Sequence, residues 1–169
     1  MLQKFSFFNH SLSQDAIEPF KARAQKLYQE IISKNFAHLD ILEYSYVNDE
    51  AMQELGLDEE LVNELVEDYV TQIIKALLQF EEELKKVQEI KEKGFMPDFT
   101  TFTELVHKNL GVARNLRIKD AQLILSEMMH SQDLEYLYLC LCALEASAIR
   151  LKPVCAYKTY KLIEIKSSL

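Results

Sequence analysis

Residues 58–94 read DEELVNELVEDYVTQIIKALLQFEEELKKVQEIKEKG and establish the fold class of the chain. Apolar residues recur every three or four positions, and neither Gly nor Pro interrupts the pattern before Gly94. This spacing predicts one amphipathic helix about 50 Å long. Asp58 is a good N-cap for it, Gly94 is a good terminator, and Pro97 prevents its continuation.

The rest of the sequence also predicts helices. Apolar residues fall at helical spacing over about 19–32, 49–55, 101–116, 119–129 and 132–151. Ser131 is expected to cap the 132–151 helix and Pro153 to end it, with a short last helix or tail beyond. Residues 35–48 are ambiguous, because 41–47 suit either a turn or a short strand. Long helices joined by short loops predict an all-α, antiparallel up-down bundle.

Composition agrees with this fold class and excludes several others. The chain has 169 residues and 19.7 kDa, a length typical of one domain. Hydrophobic residues at 49% and charged residues at 27% exclude a disordered chain. Three glycines and three prolines are too few for the turns of a β-sandwich or barrel. The net charge of −8 argues against nucleic acid as the main partner, since phosphate binding needs a basic face.

Cellular location is inferred from cysteine usage and hydropathy. Three cysteines are too few, and odd in number, for a secreted disulfide scaffold. The N-terminal residues lack the long apolar core of a signal peptide. The longest apolar run, 137–144, is bounded by Glu135 and Glu145 and is too short to span a membrane. We therefore expect a cytoplasmic protein without membrane insertion.

One histidine stands apart on the predicted 101–116 helix. On a helical wheel, His107 falls about 120° from the centre of the apolar face. Thr103, Gly111 and Arg114 follow the same exposed stripe, and Lys108 lies beside it, which makes a locally basic patch. Arg117 and Lys119 extend this patch beyond the helix.

Gly111 is unusual because glycine inside a helix costs about 1 kcal/mol relative to alanine. Two interpretations remain open. The missing side chain allows another protein's active site to approach the His107 imidazole closely, or it allows tight packing against a neighbouring helix.

The sequence LVHKNLGVARNL, residues 105–116, resembles the signature of histidine-containing phosphotransfer (HPt) domains. The matching residues are His107, Gly111, Ala113, Asn115 and Leu116. The likeness extends over about residues 56–151. It implies an HPt-like four-helix core within 56–169, with residues 1–55 as an N-terminal helical extension that packs on the bundle. The family usually has Lys three residues after the histidine, and here that position is Leu110.

The resemblance implies a phosphorelay role in two-component signalling. The neutral imidazole of His107 would attack the aspartyl-phosphate of a response-regulator receiver domain. Thr103, Lys108, Gly111 and Arg114 would support the phosphoryl group or contact the partner. The partners implied are receiver domains, a histidine kinase, or both. The chain would need no cofactor and would not turn over as an enzyme, because the receiver carries the divalent cation.

Two other functions must be weighed against phosphotransfer. Glu104 with His107 and Glu127 with His130 form two Glu-x-x-His pairs, a pattern used by ferritin-like metal sites. Both pairs point away from the apolar faces, so we predict no metal site. The other alternative is a non-catalytic interaction module, because eleven acidic residues and no Lys or Arg lie between Lys34 and Lys75. Such a surface suits a basic partner such as a kinase or regulator.

Overall fold

The computed structural model describes residues 16–167, which form helices and turns without any strand. The all-α class is confirmed. Residues 1–15, part of the predicted extension and of the stretch compared with a signal peptide, lie outside the described residues. The α-helices in chain order are α1 (Ile17–Asn35), α2 (Asp49–Leu55), α3 (Glu59–Glu92), α4 (Thr100–Asn115), α5 (Lys119–His130), α6 (Leu134–Leu151) and α7 (Pro153–Ser167).

Four helices, α3 to α6, close a ring in which each packs on the next and α6 packs back on α3. The loops 116–118 and 131–133 are short, so the helices they join run antiparallel. On the other side of α6, α1 packs along α6 and α7, and α7 also packs on α3. Both groups share one hydrophobic core, and the domain boundary at residue 56 stays a prediction.

The ends of α3 form as the sequence predicts. The Asp58 carboxylate accepts a hydrogen bond from the backbone N–H of Leu61 at 2.9 Å, which caps the 34-residue helix. Gly56 and Gly94, on either side, adopt positive φ angles of 65° and 82°. Only glycine enters this region without a steric cost, so these two residues fix where α2 and α3 end.

The predicted cap of α6 is wrong by two residues. Asp133, not Ser131, is the N-cap, and its carboxylate accepts from the backbone N–H groups of Glu135 and Tyr136. The Ser131 hydroxyl instead accepts from the N–H of Asp133 at 3.2 Å. A carboxylate accepts a stronger bond from the helix N-terminus than a hydroxyl does, because it also meets the helix dipole.

The ambiguous segment forms a 3-10 turn, Ala37–Leu39, followed by extended chain. Two of its tyrosines form hydrogen bonds to the turn between α4 and α5. The Tyr46 hydroxyl donates to the carbonyl of Leu116 at 2.8 Å, and the Tyr44 hydroxyl donates to the carbonyl of Arg117 at 3.3 Å. The segment therefore fixes the end of α4 although it lies about seventy residues earlier in the chain.

None of the described helices combines the length and apolarity needed to cross a membrane. The most apolar, α6, carries a fully buried glutamate, Glu145. Its Oε2 accepts from the Tyr160 hydroxyl at 2.5 Å, whereas Oε1 has no partner among the described residues. Burial raises the pKa of Glu145 to about 8, although the Tyr160 hydrogen bond and the charge of Arg23 oppose the shift.

The buried carboxyl makes stability depend on pH. At low pH, Glu145 is protonated in both states. Above its ordinary pKa of 4.5 the unfolded chain loses the proton while the folded chain keeps it up to about pH 8. Unfolding is therefore favoured progressively over this window, by at most about 1.4 kcal/mol per pH unit.

We expect Glu145→Gln, which keeps an acceptor for Tyr160 but cannot ionise, to raise the free energy of unfolding at about pH 8 by roughly 1–3 kcal/mol. Near pH 5 the gain should largely disappear. Urea unfolding at both pH values measures the effect, with Glu135→Gln on the exposed side of α6 as control. An equal gain at both pH values would contradict this assignment.

Candidate functional site

The site residues predicted from sequence lie on α4, the helix that packs between α3 and α5. Its inward side chains are Phe102, Val106, Asn109, Leu110 and Ala113. His107 points away from them and is exposed. A side chain in this position does not contribute to the core, so its chemistry is available to a partner.

His107 also differs from the other described histidines in its hydrogen bonding. The Nε2 of His38 lies 2.7 Å from Oε1 of Glu127, and the Nδ1 of His130 lies 2.8 Å from the carbonyl of Ser126. Within residues 16–167, no hydrogen bond or ion pair engages the His107 ring. Of the three described histidines, His107 alone offers both ring nitrogens to an incoming group.

The supporting residues share the exposed side of α4. Thr103 and Gly111, one turn before and after His107, are half-buried, while Lys108 and Arg114 are exposed. The helical repeat brings Thr103, Gly111 and Arg114 into line with His107, and Lys108 flanks that line. Two cations therefore border the imidazole without belonging to any ion pair among the described residues.

The basic patch is narrower than the sequence predicts. Arg117 forms an ion pair with Glu54 of α2, and the pair raises the pKa of the guanidinium. Its backbone adopts a positive φ of 59°, which turns the chain from α4 into α5. Arg117 thus joins the segment before α3 to the end of α4 instead of extending the cationic surface.

Gly111 faces open space. A Cβ atom built on it meets no other heavy atom of residues 16–167 within 4 Å. The interpretation that Gly111 allows tight packing against a neighbouring helix is therefore wrong. The residue leaves an open notch one turn from the His107 imidazole, which is the geometry that the close approach of a partner requires.

The position where HPt domains usually carry lysine faces inward here. Leu110 is 3% exposed and belongs to the hydrophobic core. An ammonium group at this point has to reach out of an apolar environment, which is costly for a charge. On the exposed face of α4, the cations beside His107 are Lys108 and Arg114.

The two Glu-x-x-His pairs do not converge. Glu127 is engaged by His38, and His130 turns back to the carbonyl of Ser126, four residues earlier in α5. Across residues 16–167, no three His, Cys, Asp or Glu side chains are grouped so that they could hold a metal ion.

The eleven acidic residues between Lys34 and Lys75 are all exposed in the structure. They belong to the segment that precedes α2, to α2 itself, to the loop before α3, and to the first half of α3. Glu54 among them bonds Arg117, and Asp58 caps α3. The surface is therefore strongly acidic, as the sequence predicts, and it adjoins the end of α4 through the Glu54–Arg117 pair.

Sequence reasoning missed a second cluster of polar groups, in which Asp120 and Arg150 line an open cleft. Tyr28 connects them, because its hydroxyl donates to Asp120 Oδ2 at 3.1 Å while its ring lies under the Arg150 guanidinium. These residues come from α5, α6 and α1. No local spacing signals the cluster, since more than ninety residues separate Tyr28 from Asp120.

Comparison with known proteins adds no family assignment: no family model matches the chain, and neither a curated protein nor a solved structure matches it. The likeness to HPt domains thus stays a prediction that depends on residues 105–116 and on the position of His107.

We expect Gly111→Ala to stabilise the protein by about 0.5–1 kcal/mol, since an open, helical site gains from alanine. Gly56→Ala is the matched control and should destabilise by about 1 kcal/mol, because an alanine at its φ of 65° bears a steric cost that glycine avoids. Thermal or urea unfolding compares the two. A loss of stability in Gly111→Ala would mean that the notch is filled in the folded protein.

Proposed function

We propose that the chain is an HPt-like phosphorelay protein of a two-component system, which accepts and donates a phosphoryl group on His107. Its partners are response-regulator receiver domains, a histidine kinase, or both, and it works in the cytoplasm. It acts as a carrier rather than as an enzyme with turnover of its own, and it binds no cofactor.

One observation carries this proposal: His107 is an exposed imidazole on the outward face of a helix in a four-helix ring, and no group of residues 16–167 occupies its ring nitrogens. Phosphotransfer between proteins needs a nucleophile that can enter a partner's active site. The open notch at Gly111 removes side-chain bulk where that partner would approach. The resemblance of residues 105–116 to the HPt signature points to the same residue.

The transfer step is a nucleophilic displacement at phosphorus. A lone pair on one ring nitrogen of neutral His107 forms the N–P bond, while the bond from phosphorus to the receiver's aspartyl oxygen breaks. The electron pair leaves with the regenerated carboxylate, and the other ring nitrogen keeps its proton. The receiver's divalent cation stabilises the transferring oxygens. The reverse of this step transfers the phosphoryl group from His107 to the aspartate of a receiver domain.

Cations close to His107 stabilise the product. A phosphoryl group adds about −1.5 to −2 charges, so it is favoured by positive side chains at its edge. Lys108 and Arg114 are the exposed cations of the His107 face. They take the part that the resemblance assigns to the lysine replaced by Leu110.

The test incubates the purified chain with phosphorylated receiver domains from the same genome. Wild type should acquire acid-labile, base-stable phosphate, and His107→Gln should acquire none, because only the nucleophile is removed. His130→Gln is the control, since it alters another exposed histidine that hydrogen bonds to its own helix. Label on His107→Gln, or equal loss in both variants, would contradict the proposal.

Lys108 and Arg114 can be tested in the same assay. We expect Arg114→Ala and Lys108→Ala each to slow transfer about tenfold, and the double variant to slow it further, because each removes one charge-assisted contact. Rates are measured under single-turnover conditions. Lys26→Ala, an exposed lysine on α1, should leave the rate unchanged. Unaltered transfer in the double variant would remove these residues from the site.

A second function, a non-catalytic module that binds and regulates a kinase or receiver, is favoured by two observations. Leu110 replaces the family's lysine and is buried, and the acidic surface before the middle of α3 is fully exposed. Binding measurements on His107→Gln separate the two functions. Binding by both proteins without label on either assigns the chain to this second function.

A further inference from the structure

An open cleft of about 890 Å³ lies between α1, residues 44–49, the first turn of α3, and the facing ends of α5 and α6. This volume lies within the range of small-molecule binding sites, roughly 300–1,000 Å³. The lining is rich in polar groups and contains both cations and carboxylates. The phosphotransfer proposal makes no use of it.

Arg150 is the central cation of the cleft. Its guanidinium carbon lies 3.8 Å from the centre of the Tyr28 ring. Nε donates to Gln25 Oε1 at 2.7 Å, and Nη2 donates to the carbonyl of Tyr44 at 3.1 Å. A guanidinium has five N–H donors, so these two bonds orient it and leave further donors on a side chain that lines the cleft. The side chain is held in one place before any ligand arrives.

Within the described part of the chain, no carboxylate lies within ion-pair distance of Arg150, and the only carboxyl whose pKa its charge lowers is the buried Asp120. The buried carboxyl in the lining, Asp120, already accepts three hydrogen bonds from other groups. Its Oδ2 accepts from Ser147 Oγ at 2.8 Å and from the Tyr28 hydroxyl, and its Oδ1 accepts from the N–H of Ala121. Asp120 is 3% exposed and positions Tyr28 beneath the guanidinium. A half-buried, oriented arginine that forms no close ion pair with residues 16–167 has the chemistry that recognises a carboxylate.

The rim indicates what else the ligand carries. Lys21 and Lys152 also line the cleft, and three exposed carboxylates, Glu18, Asp49 and Glu59, form its acidic rim. The three rim carboxylates repel a phosphate dianion more strongly than a monocarboxylate, because the dianion carries more negative charge. The rim carboxylates also accept hydrogen bonds from an ammonium or hydroxyl group. We propose that this cleft binds a small carboxylic acid that carries an amino or hydroxyl group, with its carboxylate on the Arg150 guanidinium.

The test screens amino acids and small hydroxy acids, at millimolar concentration, for a rise in the melting temperature of the full chain, and titrates those that act by calorimetry. At least one acid should stabilise wild type in a dose-dependent way. It should bind Arg150→Met about tenfold more weakly or worse, because that variant keeps the stem on Tyr28 and loses the charged contacts. Lys26→Met, on α1 outside the cleft, should bind like wild type.

Two outcomes overturn the proposal: no acid stabilises or titrates with wild type, or folded Arg150→Met binds the acid as wild type does. If Arg150→Met does not fold, the test uses wild type alone and compares its affinity for the active acid with its affinity for the primary amide of that acid. Equal affinity for the amide means that the carboxylate is not recognised, and a loss of tenfold or more supports the site. Neither result depends on whether His107 carries phosphate.

Discussion

The enclosure of α6 beyond its exposed first turn is the constraint on which the rest of the structure depends. Eleven of its eighteen residues are buried, because α1, α3, α5 and α7 surround it. A helix that is apolar on all sides must be covered on all sides, and the chain devotes four helices to that task. The few polar groups on α6 then need partners inside the protein. Ser147 bonds Asp120, Glu145 bonds Tyr160, and Arg150 opens into the cleft where α6 leaves the core.

The same constraint leaves α4 at the periphery. Because other helices already cover α6, α4 packs between α3 and α5 and keeps one face in solvent. Its inward residues supply the packing energy, so the outward residues are free to vary without loss of stability. His107 and the notch at Gly111 lie on that face. An exposed imidazole on an outer helix combines access for a partner with a defined position, which is what the proposed group transfer between two proteins demands.

The parts of the fold that follow from local pattern could be predicted. The period of residues 58–94 and the cap at Asp58 determine α3, and a helical wheel places His107 in solvent. Prediction failed where partners are distant in sequence. Glu145 looks like the polar boundary of an apolar run, and only the approach of Tyr160 and the enclosure of α6 reveal that it is buried. Likewise, Tyr44 and Tyr46 appear in an undecided segment, because the α4–α5 turn that they clamp is invisible locally.

For Gly111 and the cap of α6, the sequence allows two interpretations, and only the spatial surroundings decide between them. A glycine inside a helix signals either close packing or open access, and the choice depends on what surrounds it in space. Ser131 and Asp133 are both good N-caps, and the path of the loop decides between them. The cleft at Arg150 gave no signal, since its residues come from five separate segments.

The most direct test is to isolate the protein from cells that express it at its natural level and to locate phosphate on it by tandem mass spectrometry. The sample is kept at alkaline pH, because phosphohistidine is labile in acid. Phosphohistidine is expected at His107 alone. Phosphate on His38 or His130, or a chain that carries none while its partner receiver is phosphorylated, would contradict it.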